Sequence, residues 1–86
     1  MYHETVNFRG FDCGEFQQYI ERQGFGDQGG GVFGMDGNSI RLGNPEQVCL
    51  GSIQLREVEV TFSFTTEEEL RAFLKRFRRA FLRGGA

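Results

Sequence analysis

The sequence predicts a small two-layer α+β domain, with two helices packed on one face of a mostly antiparallel sheet of four to five strands. Two amphipathic segments with helical spacing, one near each end of the chain, predict the helices. Short apolar stretches separated by Gly, Asn and Asp residues lie between them, as is typical of strands joined by hairpins. The predicted order is β-α-β-β-(β)-β-α. At 86 residues, the chain has room for a single domain over 1–86.

The first strand is predicted over 2–9, where apolar and polar residues alternate. A helix follows over 13–23, because apolar side chains recur there at helical spacing. Asp12 and Glu15 match a capping box at the start of this helix. Gly24 supplies the left-handed residue that ends it.

The segment 24–31 contains five glycines and is predicted to be a flexible loop, because it offers few side chains for packing. It also matches G-x-G-x-x-G, a pattern of phosphate-binding loops. In dinucleotide-binding folds that pattern follows a strand and opens a helix, whereas here it follows a helix. We therefore interpret the segment as a flexible loop and expect no bound cofactor.

Two turns account for the middle of the chain. Asp36-Gly37 tolerates the positive φ of a tight hairpin turn and lies between the apolar stretches 32–35 and 39–42, which are predicted strands. A second turn is predicted over 43–46, where Gly, Asn and Pro occur together. Residues 47–50 are then either a short strand or the lead into the next one.

The longest strand is predicted over 53–64, where apolar residues alternate with polar ones from Val58 onward. Ile53 and Leu55 are out of phase with this alternation, since they share a side with the polar residues. A one-residue slip would turn the apolar residues away from the core. We therefore predict a bulge or bend at 56–57.

The last helix begins at a second capping box, formed by Thr66 and Glu69. An apolar stripe at helical spacing follows and is expected to face the sheet. Its members are Leu70, Phe73, Leu74, Phe77 and Phe81.

Charge is divided unevenly along the chain. Residues 1–64 carry four basic and nine acidic side chains, a net charge of −5, whereas 65–86 carry six basic and three acidic ones, a net charge of +3. We expect an acidic body and a basic last helix. The pI of about 5.3 argues against non-specific nucleic-acid binding as the main activity.

The sequence offers little material for catalysis or for membrane insertion. His3 is the one histidine, and it shares no metal-ligand spacing with Cys13 and Cys49. Both cysteines are predicted to be buried free thiols. No apolar run is long enough to cross a membrane, and the first residues do not resemble a signal peptide. We expect a cytoplasmic protein that is not an enzyme and holds neither metal nor cofactor.

The tail Leu82-Arg83-Gly84-Gly85-Ala86 resembles the Leu-Arg-Gly-Gly end of ubiquitin-like modifiers, followed by one extra residue. This resemblance covers five residues and implies a ubiquitin-like modifier. Modifiers of that fold reach the tail from a strand, whereas this chain reaches it from a helix. Gly84 also fits a helix C-cap, with 84–86 as a short tail.

The predicted function is that of a non-catalytic protein-binding module, an inhibitor or regulator that occupies the surface of a partner protein. In size and charge it resembles phage inhibitors such as anti-CRISPRs, and immunity proteins. The predicted contact residues are Arg71, Lys75, Arg78 and Arg79 on the last helix, Glu57 and Glu59 on the outer sheet face, and Phe25, Asp27 and Asp36 in loops.

Several alternatives stay open at this point. The first is an accessory protein that contacts nucleic acid through the arginine-rich face of the last helix. A ubiquitin-like modifier and an enzyme that uses Cys13 or Cys49 rank behind it. Pairing between exposed edge strands would also allow a homodimer.

Overall fold

The computed structural model of the chain describes residues 1–11 and 13–81, and for Leu50 the backbone alone. It confirms the predicted α+β class. The strands are β1 (Tyr2–Arg9), β2 (Gly26–Asp27), β3 (Val32–Met35), β4 (Asn38–Leu42), β5 (Glu46–Leu50) and β6 (Ile53–Phe64). The helices are α1 (Cys13–Arg22) and α2 (Glu67–Ala80). Neither described helix is long and apolar enough to span a membrane.

The sheet is organised around β6, its longest strand. The strand order is β1-β6-β4-β3-β2, and every pairing among the described residues is antiparallel. β1 pairs with the second half of β6, from Arg9 opposite Glu57 to Tyr2 opposite Phe64. β5 pairs with the first half of β6, beyond the end of β4. The hairpin of β5 and β6 therefore extends past the body of the sheet.

The glycine-rich segment 24–31, which the sequence predicts to be a flexible loop, forms regular backbone hydrogen bonds. Two of its residues form β2, in which Gly26 lies opposite Gly34. The Gln28 N–H donates to the Val32 carbonyl oxygen over 2.8 Å. This strand, together with β5, raises the number of strands to six. The flexibility of the segment stays a prediction.

The predicted bulge in β6 at 56–57 is wrong, because β6 keeps an unbroken register through this position. The extra residue lies instead in the segment 42–46, which runs opposite residues 57–60 of β6. Leu42 pairs with Val60, and Glu46 pairs with Glu57, so four steps along one chain oppose three along β6. The turn between β4 and β5 absorbs the difference. Alternation therefore continues along β6, and its first apolar residues stay on the side away from the helices.

The tight turn between β3 and β4 has the predicted geometry. Asp36 has φ 52° and Gly37 has φ 81°. Positive φ at both central residues is the requirement of a type I′ hairpin. The next residue, Asn38, is buried and connects this hairpin to α2. Its Oδ1 accepts the Thr65 N–H over 2.9 Å, and its Nδ2 donates to Glu69 over 3.2 Å.

The core lies between the two helices and the inner face of the sheet. Among the residues whose side chains the structure describes, it contains fourteen buried hydrophobic ones. They are Phe8, Phe11, Phe16, Ile20, Phe25, Phe33, Ile40, Val58, Val60, Phe62, Phe64, Leu70, Phe73 and Phe77. Nine of the ten phenylalanines are thus buried here, so the core is held together largely by contacts between aromatic rings.

Phe77 of α2 lies at the centre of these rings and is fully buried. Its ring centroid lies 5.2 Å from that of Phe8 in β1 and 5.2 Å from that of Phe62 in β6. On the α1 side it stacks on Phe16 at 5.7 Å and meets the edge of Tyr19 at 5.5 Å. One side chain therefore connects both helices to the two longest strands.

α2 begins as predicted, with the Thr66 side chain accepting the Glu69 N–H over 3.2 Å. It ends earlier than the apolar stripe indicates, at Ala80. Phe81 is the C-cap, and its N–H donates to the Phe77 carbonyl oxygen. The Phe81 ring still packs against the core. The predicted N-cap Asp12 and C-cap Gly84 lie outside the described residues.

We expect Phe77→Ala to lower the free energy of unfolding by about 3–5 kcal/mol, because it leaves a cavity where both helices and the sheet meet. Urea unfolding followed by circular dichroism measures the change. Phe81→Ala removes the same atoms at a half-buried position and should cost clearly less. Equal losses in the two variants would contradict the central position assigned to Phe77.

We expect Asn38→Ala to destabilise the domain by roughly 1–3 kcal/mol, because the Thr65 N–H loses its acceptor. Asn44→Ala changes the same residue type at an exposed position and should lie within about 0.5 kcal/mol of the wild type. Thermal unfolding of both variants tests this. If the two behave alike, Asn38 does not hold the β3–β4 hairpin to α2.

Candidate protein-binding surfaces

The exposed side of α2 carries a basic surface formed by Arg71, Lys75, Arg76, Arg78 and Arg79, all of them exposed. Arg71 forms an ion pair with Glu67 over 2.8 Å, and Arg76 lies over the ring of Phe73 at 5.6 Å. Within residues 1–11 and 13–81, no carboxylate lies within ion-pair distance of Lys75, Arg78 or Arg79. These three charges are available to a partner. Arg83, which the sequence adds to this surface, lies outside the described residues.

The last described residue, Phe81, is held on the core directly after this basic surface. Its ring centroid lies 4.6 Å from Phe16, 4.7 Å from Phe77 and 5.1 Å from Phe11. Contacts with both α1 and the chain that follows β1 determine its position. The point at which the chain continues into 82–86 is therefore set by the aromatic core.

In the part of the chain that the structure describes, no helix covers the outer face of the sheet, and polar side-chain pairs between β1 and β6 cross this face. These pairs are His3 with Ser63 at 2.8 Å, Thr5 with Thr61 at 3.2 Å and Arg9 with Glu57 at 2.8 Å. Such cross-strand pairs each contribute a few tenths of a kcal/mol to about 1 kcal/mol. This face is the solvated side of a one-sided antiparallel sheet.

Three carboxylates lie together on the outer face, which we call the acidic cleft. Glu46, Glu57 and Glu59 line it, along with Asn7 and residues 43–44 of the β4–β5 turn. Glu46 and Glu57 are directly opposite each other in the β5–β6 register. The Arg9 guanidinium pairs with Glu57. The cleft thus concentrates negative charge that one cation offsets only in part.

The β5–β6 hairpin continues the outer face beyond the acidic cleft, and we call residues 46–57 the arm. Val48 lies opposite Leu55, and Leu50 lies opposite Ile53. Residues two apart on each strand share a face, so one side of the arm is apolar in sequence. The Ile53 side chain lies on this apolar face and is 59% exposed. On the other side, Gln47 donates to Gln54 over 3.2 Å.

Among the predicted loop contacts, Phe25 and Asp36 line one cavity together with Arg76 of the basic surface, whereas Asp27 does not line it. Phe25 is 3% exposed and packs against Phe64 and Phe73, so it belongs to the core and is not an exposed anchor. Asp27 is exposed in β2, and its Oδ1 accepts the Gly29 N–H over 2.8 Å. Asp36 is exposed at the β3–β4 turn. The nine predicted residues therefore fall into separate regions of the molecule.

The apolar side of the arm is the feature that sequence reasoning missed. The signal was present, since Ile53 and Leu55 are out of phase with the rest of β6. The predicted bulge or bend at 56–57 would return both residues to the core side. The structure places them on the outer face instead, because the alternation of β6 is unbroken.

The two cysteines differ in exposure, and neither is fully buried as the sequence predicts. Cys49 is exposed on the arm, whereas Cys13 is half-buried and its Sγ lies 4.0 Å from the Gly43 carbonyl oxygen. Among the described residues, no group of three or more His, Cys, Asp or Glu side chains is placed to hold a metal ion.

The comparison with protein families gives a match that covers residues 4–86 and is described as archaeal MoaD-like protein. The chain belongs to the archaeal MoaD-like family. This is a family of small ubiquitin-like proteins. The match includes the tail 82–86. A comparison with curated proteins gave no significant match.

We expect a thiol reagent to modify Cys49 of the native protein faster than Cys13, because exposure controls the access of the reagent. Mass spectrometry after short labelling times measures both rates. Cys49→Ser should remove the fast phase, and Cys13→Ser should leave it in place. A fast phase that survives Cys49→Ser would contradict the exposed position of the arm.

Proposed function

We propose that this archaeal MoaD-like protein is a non-catalytic carrier or modifier, which docks on a partner enzyme and presents its C-terminal tail to that enzyme. The family match carries the proposal, because it runs from residue 4 through the tail. The family suggests a sulfur carrier, in which the carried group is attached to a C-terminal carboxyl group. In this proposal the chain supplies the acyl group, and the partner supplies the activation.

The composition of the tail suits this role. Gly84 and Gly85 have no side chains, so their backbone can approach the walls of a narrow active site closely. Because Ala86 follows the glycine pair, the reactive carboxyl group is proposed to be that of Gly85. Hydrolysis of the peptide bond between Gly85 and Ala86 would release it, with water supplying the new carboxylate oxygen. The amino group of Ala86 is the leaving group.

The structure supports the proposal through what lies directly before the tail. Phe81 is held by rings from α1 and α2, so the base of the tail has a defined position relative to the folded body. A fixed base lowers the entropy that is lost when the tail enters an active site. The folded domain would thus act as a rigid handle for a short reactive segment.

The basic surface of α2 supports docking on an acidic partner surface. Lys75, Arg78 and Arg79 are exposed and lie within the last two turns before the tail. Arginine side chains bind carboxylates with two parallel hydrogen bonds, which gives such contacts a defined geometry. Acidic residues around the entrance of the partner's active site would both attract α2 and orient the tail.

One feature departs from the ubiquitin-like modifiers that the tail resembles. In those proteins the tail follows a strand, whereas here it follows α2. The surface beside the tail is therefore a charged helix. We infer that the partner recognises α2 together with the tail.

The inhibitor or regulator that the sequence predicts shares the docking step with a carrier. It differs in one respect, since occupation of a partner's surface does not need the tail. Nucleic-acid binding through α2 would likewise proceed without it. Dependence on the tail therefore separates the carrier from both alternatives.

The test compares the full chain with variants that end at Gly85 and at Arg83, each incubated in a cell extract of the source organism with a nucleoside triphosphate and a sulfide donor. We expect the full chain to be trimmed after Gly85. Intact-mass spectrometry should then show replacement of one oxygen by sulfur, or a conjugate joined through Gly85. The variant that ends at Arg83 should show neither product.

A matched pair of charge variants tests docking in the same assay. Lys75→Glu with Arg79→Glu should reduce the yield of the modified product, whereas Arg22→Glu, on α1, should leave it unchanged. If the full chain gives neither a sulfur adduct nor a conjugate, the carrier proposal is wrong. Binding of an extract protein by both the full chain and the Arg83-terminated variant would then favour the inhibitor.

A further inference from the structure

The outer sheet face carries an apolar region and an acidic region in continuous succession along β6. The apolar side of the arm comes first, with Ile53 59% exposed and Leu55 half-buried. Two residues further along is Glu57, and then Glu59, which both line the acidic cleft. All four side chains point to one face, because they lie at alternate positions of an unbroken strand.

The arm has little internal support in this position. It is a two-stranded hairpin that extends past β1 and β4, and two strands alone are marginally stable in water. A half-buried Val48 opposite Leu55 provides a cross-strand contact on the apolar side. Covering that side with another apolar group would stabilise the arm in addition to burying Ile53.

We propose that this outer face is a second docking surface, which binds a protein segment that presents an apolar side chain next to Lys or Arg residues. The apolar side chain would pack on Leu55 and Ile53. The basic residues would pair with Glu46 and Glu59 in the acidic cleft. This inference goes beyond the proposed function, since it concerns the face of the sheet opposite to α2.

Charge selects the occupant of this surface. The carboxylates of Glu46 and Glu59 repel phosphate, which argues against nucleic acid and anionic lipid as the bound species. A second copy of the chain that used the same face would place two acidic clefts near each other, at a cost in repulsion. A basic and apolar protein segment satisfies both regions at once.

The dimensions of the face fit a transient protein interface. A strip as long as β6, which has twelve residues, is three strands wide beside β1 and β4 but two strands wide along the arm, so it measures about 40 by 10–15 Å at normal strand spacings. This corresponds to roughly 400–600 Å² on this side, at or below the lower end of what one partner contributes to a specific interface. A short segment or a single strand of a partner can cover such a strip.

The test uses three short synthetic peptides and the full chain labelled with ¹⁵N. The first peptide, Lys/Leu, has the sequence Leu-Ser-Leu-Ser-Lys-Ser-Lys, so that in a strand the Leu and Lys side chains share one face. The second, Lys/Ser, replaces each Leu by Ser, and the third, Glu/Leu, replaces each Lys by Glu. We expect the Lys/Leu peptide to shift the amide resonances of the arm and of the residues around Glu59. The Lys/Ser peptide should bind about tenfold more weakly, because it cannot bury an apolar side chain. The Glu/Leu peptide should not bind.

Two pairs of variants locate the binding. Ile53→Ser should weaken the Lys/Leu peptide by about tenfold, whereas Tyr2→Ser, at another exposed apolar residue of the sheet, should not. Glu59→Gln should weaken it by up to roughly fivefold, whereas Glu21→Gln, on α1, should not. Thermal unfolding of all four variants shows whether each remains folded.

Several outcomes would overturn this inference. Equal binding of the Lys/Leu and Lys/Ser peptides would show that the peptides bind by non-specific charge attraction alone. Resonance shifts confined to α2 would place the binding elsewhere. If sedimentation shows a dimer that Ile53→Ser converts to monomer, the face is an interface between copies of the chain. Neither these peptides nor these variants involve the tail, so the carrier proposal stands or falls separately.

Discussion

Phe77 lies where the two helices and the central strand meet, and its ring contacts aromatic rings from each of them. The position of α2 depends on these contacts, because the helix is short and its outer side is occupied by like charges that repel one another. Phe81 depends on them in turn, since its ring rests on Phe77. The same packing therefore sets the fold and the base of the tail.

The one-sided arrangement of the helices has a second consequence. Because α1 and α2 cover one face of the sheet, the other face is left to solvent and carries polar pairs, the acidic cleft and the arm. Basic charge lies on the helix side, at Lys75, Arg78 and Arg79, and acidic charge lies on the opposite side, at Glu46 and Glu59. The net charge of −2 hides this separation. Two partners of different chemistry could bind without competing for the same residues.

Membership in the archaeal MoaD-like family makes the tail more important to the proposed function than the folded surfaces alone. Taken alone, the five residues of the tail are a short motif that follows a helix. The family match covers the domain and the tail as one unit, which ties the motif to the fold. The carrier proposal follows from that connection, and α2 takes the place that a strand has in the modifiers with a similar end.

The sequence by itself determined the elements whose signals are local. Alternation in β1 and β6, the Thr66 cap of α2, the positive φ at Asp36-Gly37 and the apolar stripe through Phe73 and Phe77 all act within a few residues, so they could be recognised without the fold.

Only the tertiary structure decided the rest. Phe25 joins the core because Phe64 of β6 and Phe73 of α2 pack against it, although it lies among glycines. Cys49 and Ile53 are exposed because β5 pairs with β6 beyond the reach of the helices, a long-range outcome that no local pattern contains. The phase of Ile53 along β6 could be read from the sequence. Whether the chain would correct that phase with a bulge or leave the residue in solvent depended on how many strands pair with β6, which is a property of the whole sheet.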